Sequence, residues 1–168
     1  MEILKFATDW AKAEAFSARF FILFAVLFLA ASIGFWQLGK TEIAKAYVLP
    51  TLVAGILILA VGVGIFFTNK SRVTSFAEAY NANPKEFIKS EITRTEKSMS
   101  EFRSIVFKVI PFIIVAAALL IVFVDKPVWR AVAITTIAMM VVIMLVDSNA
   151  NARLESYHHQ LELVNKKK

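Results

Sequence analysis

The chain has 168 residues, of which 58% are hydrophobic and 19% charged, with a mean hydropathy of +0.66, too apolar for a soluble domain of this size. It has no cysteine, which excludes disulfides, thiolate metal centres and cysteine nucleophiles. A net charge of +6 would suggest nucleic acid in a soluble protein, whereas in a membrane protein basic residues collect on the cytoplasmic side.

Residues 1–19 form an arm in which Ile3, Phe6, Trp10 and Ala13 recur at helical spacing. This amphipathic stripe suits either a membrane surface or a place in a bundle. Its mixed charges, Glu2, Asp9 and Glu14 beside Lys5, Lys12 and Arg19, are unlike the compact positive start of a signal peptide, so the arm is expected to be retained.

Residues 20–68 follow as a first transmembrane hairpin, with apolar runs at Phe20–Leu38 and Val48–Thr68. About 20 apolar residues suffice to cross a hydrocarbon core of about 30 Å. Thr51 with Gly55, Ala60 with Gly64, and Ala30 with Gly34 are small-xxx-small pairs that let helices approach closely. Together with Gly62 they are the expected helix-packing residues, because glycine otherwise weakens a helix interior.

Residues 69–104 are a cytoplasmic helical segment. Val73, Phe76, Ala77 and Tyr80 carry one helical face inward from the second span, "NANP" at 81–84 breaks it, and Pro84 suits the start of a new helix. Ile88, Ile92, Met99 and Phe102 then form a second stripe leading into the third span.

Residues 105–146 are a second transmembrane hairpin, with runs at Ile105–Val124 and Val128–Val146. Lys108 stands three residues inside the third span, about 4.5 Å deep at 1.5 Å per residue, where its stem can return the ammonium to the headgroups. Pro111 either starts the membrane-embedded helix or frees the Phe107 carbonyl and bends it. With Asp147 at the same depth on the fourth span, these residues define an expected boundary hinge.

Residues 147–168 are a cytoplasmic helical tail with a stripe of Leu154, Tyr157, Leu161 and Val164. Within it, Glu155 precedes His159 by four residues and His158 precedes Glu162 by four. Each pair shares a helix face, as a metal or proton-relay site would require. Adjacent histidines point about 100° apart, so a solvated salt-bridging face is the expected use, and no metal or other cofactor is expected. The closing "NKKK" suits contact with anionic lipid.

Lysines and arginines settle the orientation. Fifteen lie in the arm, the middle segment, the tail and at Lys108, against four in the two intervening loops, at Lys40, Lys45, Lys126 and Arg130. Both termini should therefore face the cytoplasm, in a plasma or bacterial inner membrane, and nucleic acid is not an expected partner. Phe35, Trp36, Tyr47 and Trp129 fall where an outer aromatic belt would lie.

The expected fold is all-α: four transmembrane helices as two antiparallel hairpins, with helices 2, 3 and 4 extended into a small cytoplasmic layer. The hairpins carry a trace of duplication, "EAFSARF" at 14–20 with "EFRSIVF" at 101–107, and "RVTSF" at 72–76 with "RLESY" at 153–157. No ionisable residue lies mid-span, which argues against an ion-driven transporter. No phosphate-binding loop, dinucleotide fingerprint, nucleophile elbow or His-Glu-x-x-His helix is present either. The sequence thus points to a non-catalytic membrane protein acting by association with lipid, with copies of itself or with other membrane subunits. An oligomeric channel with a hydrophobic gate is the alternative, and a metal-binding tail a weaker one. Four-span immunity proteins, small subunits of respiratory or secretion assemblies and membrane components of bacterial defence share this gross pattern, and no motif selects among them.

Overall fold

The computed structural model describes residues 2–166, and among these the chain is all-helical with no strands. Met1, Lys167 and Lys168, and with them part of the basic "NKKK" end, lie outside the described residues. The helices are α1 (Glu2–Leu38), the short α2 (Glu42–Ala46), α3 (Val48–Ala82), α4 (Pro84–Ser104), α5 (Ile110–Phe123) and α6 (Pro127–Lys166), with a π-helical turn at Ile105–Val109 joining α4 to α5. Four continuous helical rods, Glu2–Leu38, Glu42–Ala82, Pro84–Phe123 and Pro127–Lys166, are each long and apolar enough to cross a membrane.

Local chemistry sets the breaks between rods. Thr41 caps α2 by accepting from the Ala44 N–H at 3.1 Å, and Asn83 caps α4 by accepting from the Glu86 N–H at 3.2 Å with Pro84 behind it. Pro127 opens α6 in the same way. At a rise of 1.5 Å, the 35 residues of α3 reach about 52 Å, well beyond a hydrocarbon core of about 30 Å. The arm is no separate surface helix: residues 2–19 continue unbroken into the first span as α1, so the first rod overshoots the apolar zone as the other three do.

Two cores result. In the apolar half, Phe21, Ala25, Ile58, Val142 and Val146 bring α1, α3 and α6 together. Elsewhere the spans point large side chains outward, among them Leu27, Ile56, Leu57, Phe112, Val115 and Leu119. At most 33% of the most apolar stretch of any rod is buried in the chain, the inverse of a soluble bundle and the surface lipid requires. In the charged half, Ile3, Ala7 and Trp10 of α1, Phe76 of α3, Phe87 and Ile88 of α4, and Leu154, Tyr157 and Leu161 of α6 form a second core, with Tyr80, Ile92 and Met99 packed against it.

The helix-packing residues divide into two groups. A Cβ on Gly55 would come within 2.8 Å of Leu29 Cγ, and one on Gly62 within 2.8 Å of Phe21 Cβ and 3.2 Å of the Ile22 backbone nitrogen. These two glycines let α1 and α3 close on each other. Thr51 is buried on the same face, its hydroxyl donating to the Tyr47 carbonyl at 2.6 Å, while Ser32 donates to the Val48 carbonyl at 2.8 Å. Ala30, Ala60 and Gly64 face outward instead, and a Cβ on Gly34 or Gly64 would meet nothing within 4 Å.

Lys108 is exposed on the π turn. There the Ile110 N–H reaches the Ile105 carbonyl, a wider loop than the α-helical one. Pro111 follows in the first turn of α5, and the extra residue in the turn accommodates its ring and missing N–H. Among the described residues no ion pair joins Lys108 to Asp147; the carboxylate lines an open cavity that Ile105 of the π turn also borders.

Candidate functional site

Trp10 organises the charged half. Its ring stacks on Tyr157 with centroids 5.3 Å apart and on Phe76 at 6.5 Å. The guanidinium of Arg94 sits 4.6 Å from its centroid and that of Arg72 at 5.7 Å. Three helices thus meet on the indole of α1: α6 supplies an aromatic face, α4 a cation attracted to the π face, and α3 one of each.

Around it the charges are paired. Arg94 donates to both oxygens of buried Glu91 at 2.8 and 2.7 Å, and the Tyr157 hydroxyl adds a third bond to Glu91 at 3.0 Å. Arg153 donates to Glu14 at 2.9 Å, tying α1 to α6. Arg72 donates to Asn69, whose own amide donates to the Ile65 carbonyl. Burial followed by the neighbouring Glu91 carboxylate pushes the Tyr157 phenol far up, so it stays a donor. Burial raises Glu14 and Arg153 opposes that shift. Burial, then the like charge of Arg94, lowers Arg72, which remains charged as arginines do.

Beside this network a cavity of about 450 Å³ opens where the charged half meets the apolar spans, lined by Trp10, Glu14, Asn69, Arg72, Arg94, Ser98, Glu101, Phe102, Asp147 and Asn151 among others. Asp147 has no cation within ion-pairing distance among the described residues. Burial, helped by the charge of Glu14, raises it from 3.8 to about 6. Trp10 Nε1 and Asn151 Oδ1, both on cavity-lining residues, are buried without a protein partner among the described residues. Such polar atoms are normally satisfied by solvent or a ligand.

The residues singled out from the sequence arrive unevenly. The stripe residues Phe76, Ile88, Leu154, Tyr157 and Leu161 are in the core, with Tyr80, Ile92 and Met99 against it, and Phe102 lines the cavity. Of the boundary trio, only Asp147 reaches it. Glu155 and His159 are exposed, Glu155 bonded to Asn151 at 2.9 Å, whereas His158 and Glu162 turn toward α4. Glu91, Arg94 and Asn69 carried no signal in the sequence, since each is one polar residue among many on a helix. Arg72, Glu101 and Arg153 were visible only as letters of the two short repeats, and Glu14 there and among the mixed charges of the arm; all four gather at this cavity or pair with a residue lining it. No protein-family model, curated protein or solved structure matches the chain.

Proposed function

We propose that this is a non-catalytic four-span membrane protein that works by association, with further copies of itself or with other membrane subunits. In this reading the spans form two antiparallel hairpins. The charged half is a cytoplasmic layer on a plasma or bacterial inner membrane, placed there by the fifteen-to-four bias of Lys and Arg.

The observation that carries it is the unequal use of small residues. Gly55 and Gly62 are consumed by the contact of α1 with α3, but Ala30, Ala60 and Gly64 lie on outward faces and Gly34 is half-buried, with nothing in the chain within 4 Å of a Cβ on either Gly34 or Gly64. A glycine within a helix costs about 1 kcal/mol relative to alanine. In a span that cost is offset when a neighbouring backbone packs against it. Of the charged groups, Glu14 is held by Arg153 across α1 and α6 and Glu91 by Arg94 within α4 and Tyr157 from α6, which suits a rigid layer better than a reacting centre.

The absence of native cysteine makes the test clean. In membranes, Gly34→Cys or Gly64→Cys should give a crosslinked species on mild oxidation, while Val122→Cys, on a strongly exposed face of α5, should not. A single monomeric mass in mild detergent together with no crosslink from either glycine position would refute association through these faces.

A further inference from the structure

We infer that Glu96 on α4 with His158 and Glu162 on α6 forms a divalent-cation site of the zinc class that clasps α4 to α6. One ligand atom from each residue lies within 4.8 Å of the other two. An ion bound tetrahedrally at 2.0–2.2 Å needs its ligands roughly 3.3–3.6 Å apart, a contraction that side-chain rotation of the exposed Glu96 can supply.

The imidazole is already set for the task. The Thr95 hydroxyl, fully buried, lies 2.8 Å from the Glu91 carbonyl and 2.9 Å from that of Ile92. Its single proton belongs in those contacts, so it meets His158 Nδ1, 2.7 Å away, as an acceptor. Nδ1 therefore carries the proton of the neutral ring, and the lone pair is on Nε2. That nitrogen faces Glu162 Oε1 at 3.6 Å, too long for a hydrogen bond, an approach of lone pair to carboxylate that either a proton or a metal cation on Nε2 turns favourable. A second-shell bond of this kind fixes ring orientation in histidine metal sites.

The donor set selects the ion. One imidazole nitrogen with two carboxylates suits zinc and its first-row neighbours, whereas magnesium and calcium take oxygen ligands. Among the described residues, Lys166 is the one lysine or arginine at ion-pairing distance from the cluster, 4.0 Å from Glu162 and itself exposed, so it is readily displaced. Glu96 has no ion-pair partner among the described residues.

Zinc chloride titrated calorimetrically into the whole chain in detergent, freed of any affinity tag, should show one saturable site per chain, with none for magnesium at the same concentration. Glu96→Gln, at an exposed position that the fold does not need, should weaken zinc at least 10-fold and abolish the zinc-induced rise in melting temperature. Thr95→Val should weaken it by about 10- to 100-fold through loss of the ring's orienting bond. His159→Ala and Glu155→Gln should leave it unchanged. Absence of saturable binding below about 100 μM, or an equal loss from His159→Ala and Glu96→Gln, would overturn the assignment; the second result would mark diffuse binding along the tail.

Discussion

Asp147 and Glu14 share a cavity but differ in their company. Glu14 has Arg153 at 2.9 Å, while Asp147 has only the cavity and the unfavourable charge of Glu14. Because its folded pKa, about 6, lies above the unfolded value, Asp147 costs nothing below about pH 4, where both states are protonated. Its ionised form then destabilises the fold increasingly up to about pH 6 and by a constant amount above. That amount is about 2 kcal/mol once solvent at the cavity mouth is allowed for. The groups facing it across the cavity are Glu14 on α1, Arg72 on α3, and Arg94 and Glu101 on α4. Asp147→Asn should therefore raise the melting temperature at pH 8, leave it nearly unchanged at pH 4, and flatten the slope between; equal shifts at both pH values would contradict the burial account. The pair behaves differently. Removing Arg153, itself 31% exposed, strands the largely buried Glu14, at about 1–3 kcal/mol, less than for a fully buried pair because solvent reaches the arginine side. Arg153→Met should lower the melting temperature sharply, and adding Glu14→Gln should recover part of the loss, a coupling that a double-mutant cycle measures.

At the scale of helices, the glycines provide the discriminating case. Gly62 and Gly64 are two residues apart on α3, yet a Cβ on the first collides with Phe21 and one on the second meets open space. Gly62→Ala should destabilise by about 1–3 kcal/mol through overpacking. Gly64→Ala should leave the isolated chain unchanged or slightly more stable, with any effect confined to association. Thermal melts of both variants in one detergent decide this, and equal destabilisation would show that the α1–α3 contact has been misplaced. The π turn before Pro111 belongs to the same scale. Proline removes a donor and crowds the preceding turn, and widening that turn by one residue keeps α4 and α5 continuous as a single rod.

For the molecule as a whole, hydrophobic periodicity and length made the four apolar rods legible in the sequence, because a span must be about 20 apolar residues whatever its neighbours. "NANP" was legible as a break for an equally local reason: asparagine and proline cap and start helices through their own bonds. The fate of the arm was not. A stripe such as Ile3, Phe6 and Trp10 suits a lipid surface as well as a protein groove, and only the docking of Trp10 between Tyr157, Phe76 and Arg94 decides for the groove. The tail histidines show the same limit. Spacing along α6 paired His158 with Glu162, but Thr95 and Glu96 are more than 60 residues away in sequence and join them only because α4 lies against α6. Composition and period, which act within a helix, determined that this chain is helical and suited to a bilayer. Which carboxylate is paired, which glycine is consumed and where the cavity falls are relations between helices, and only their packing decided them.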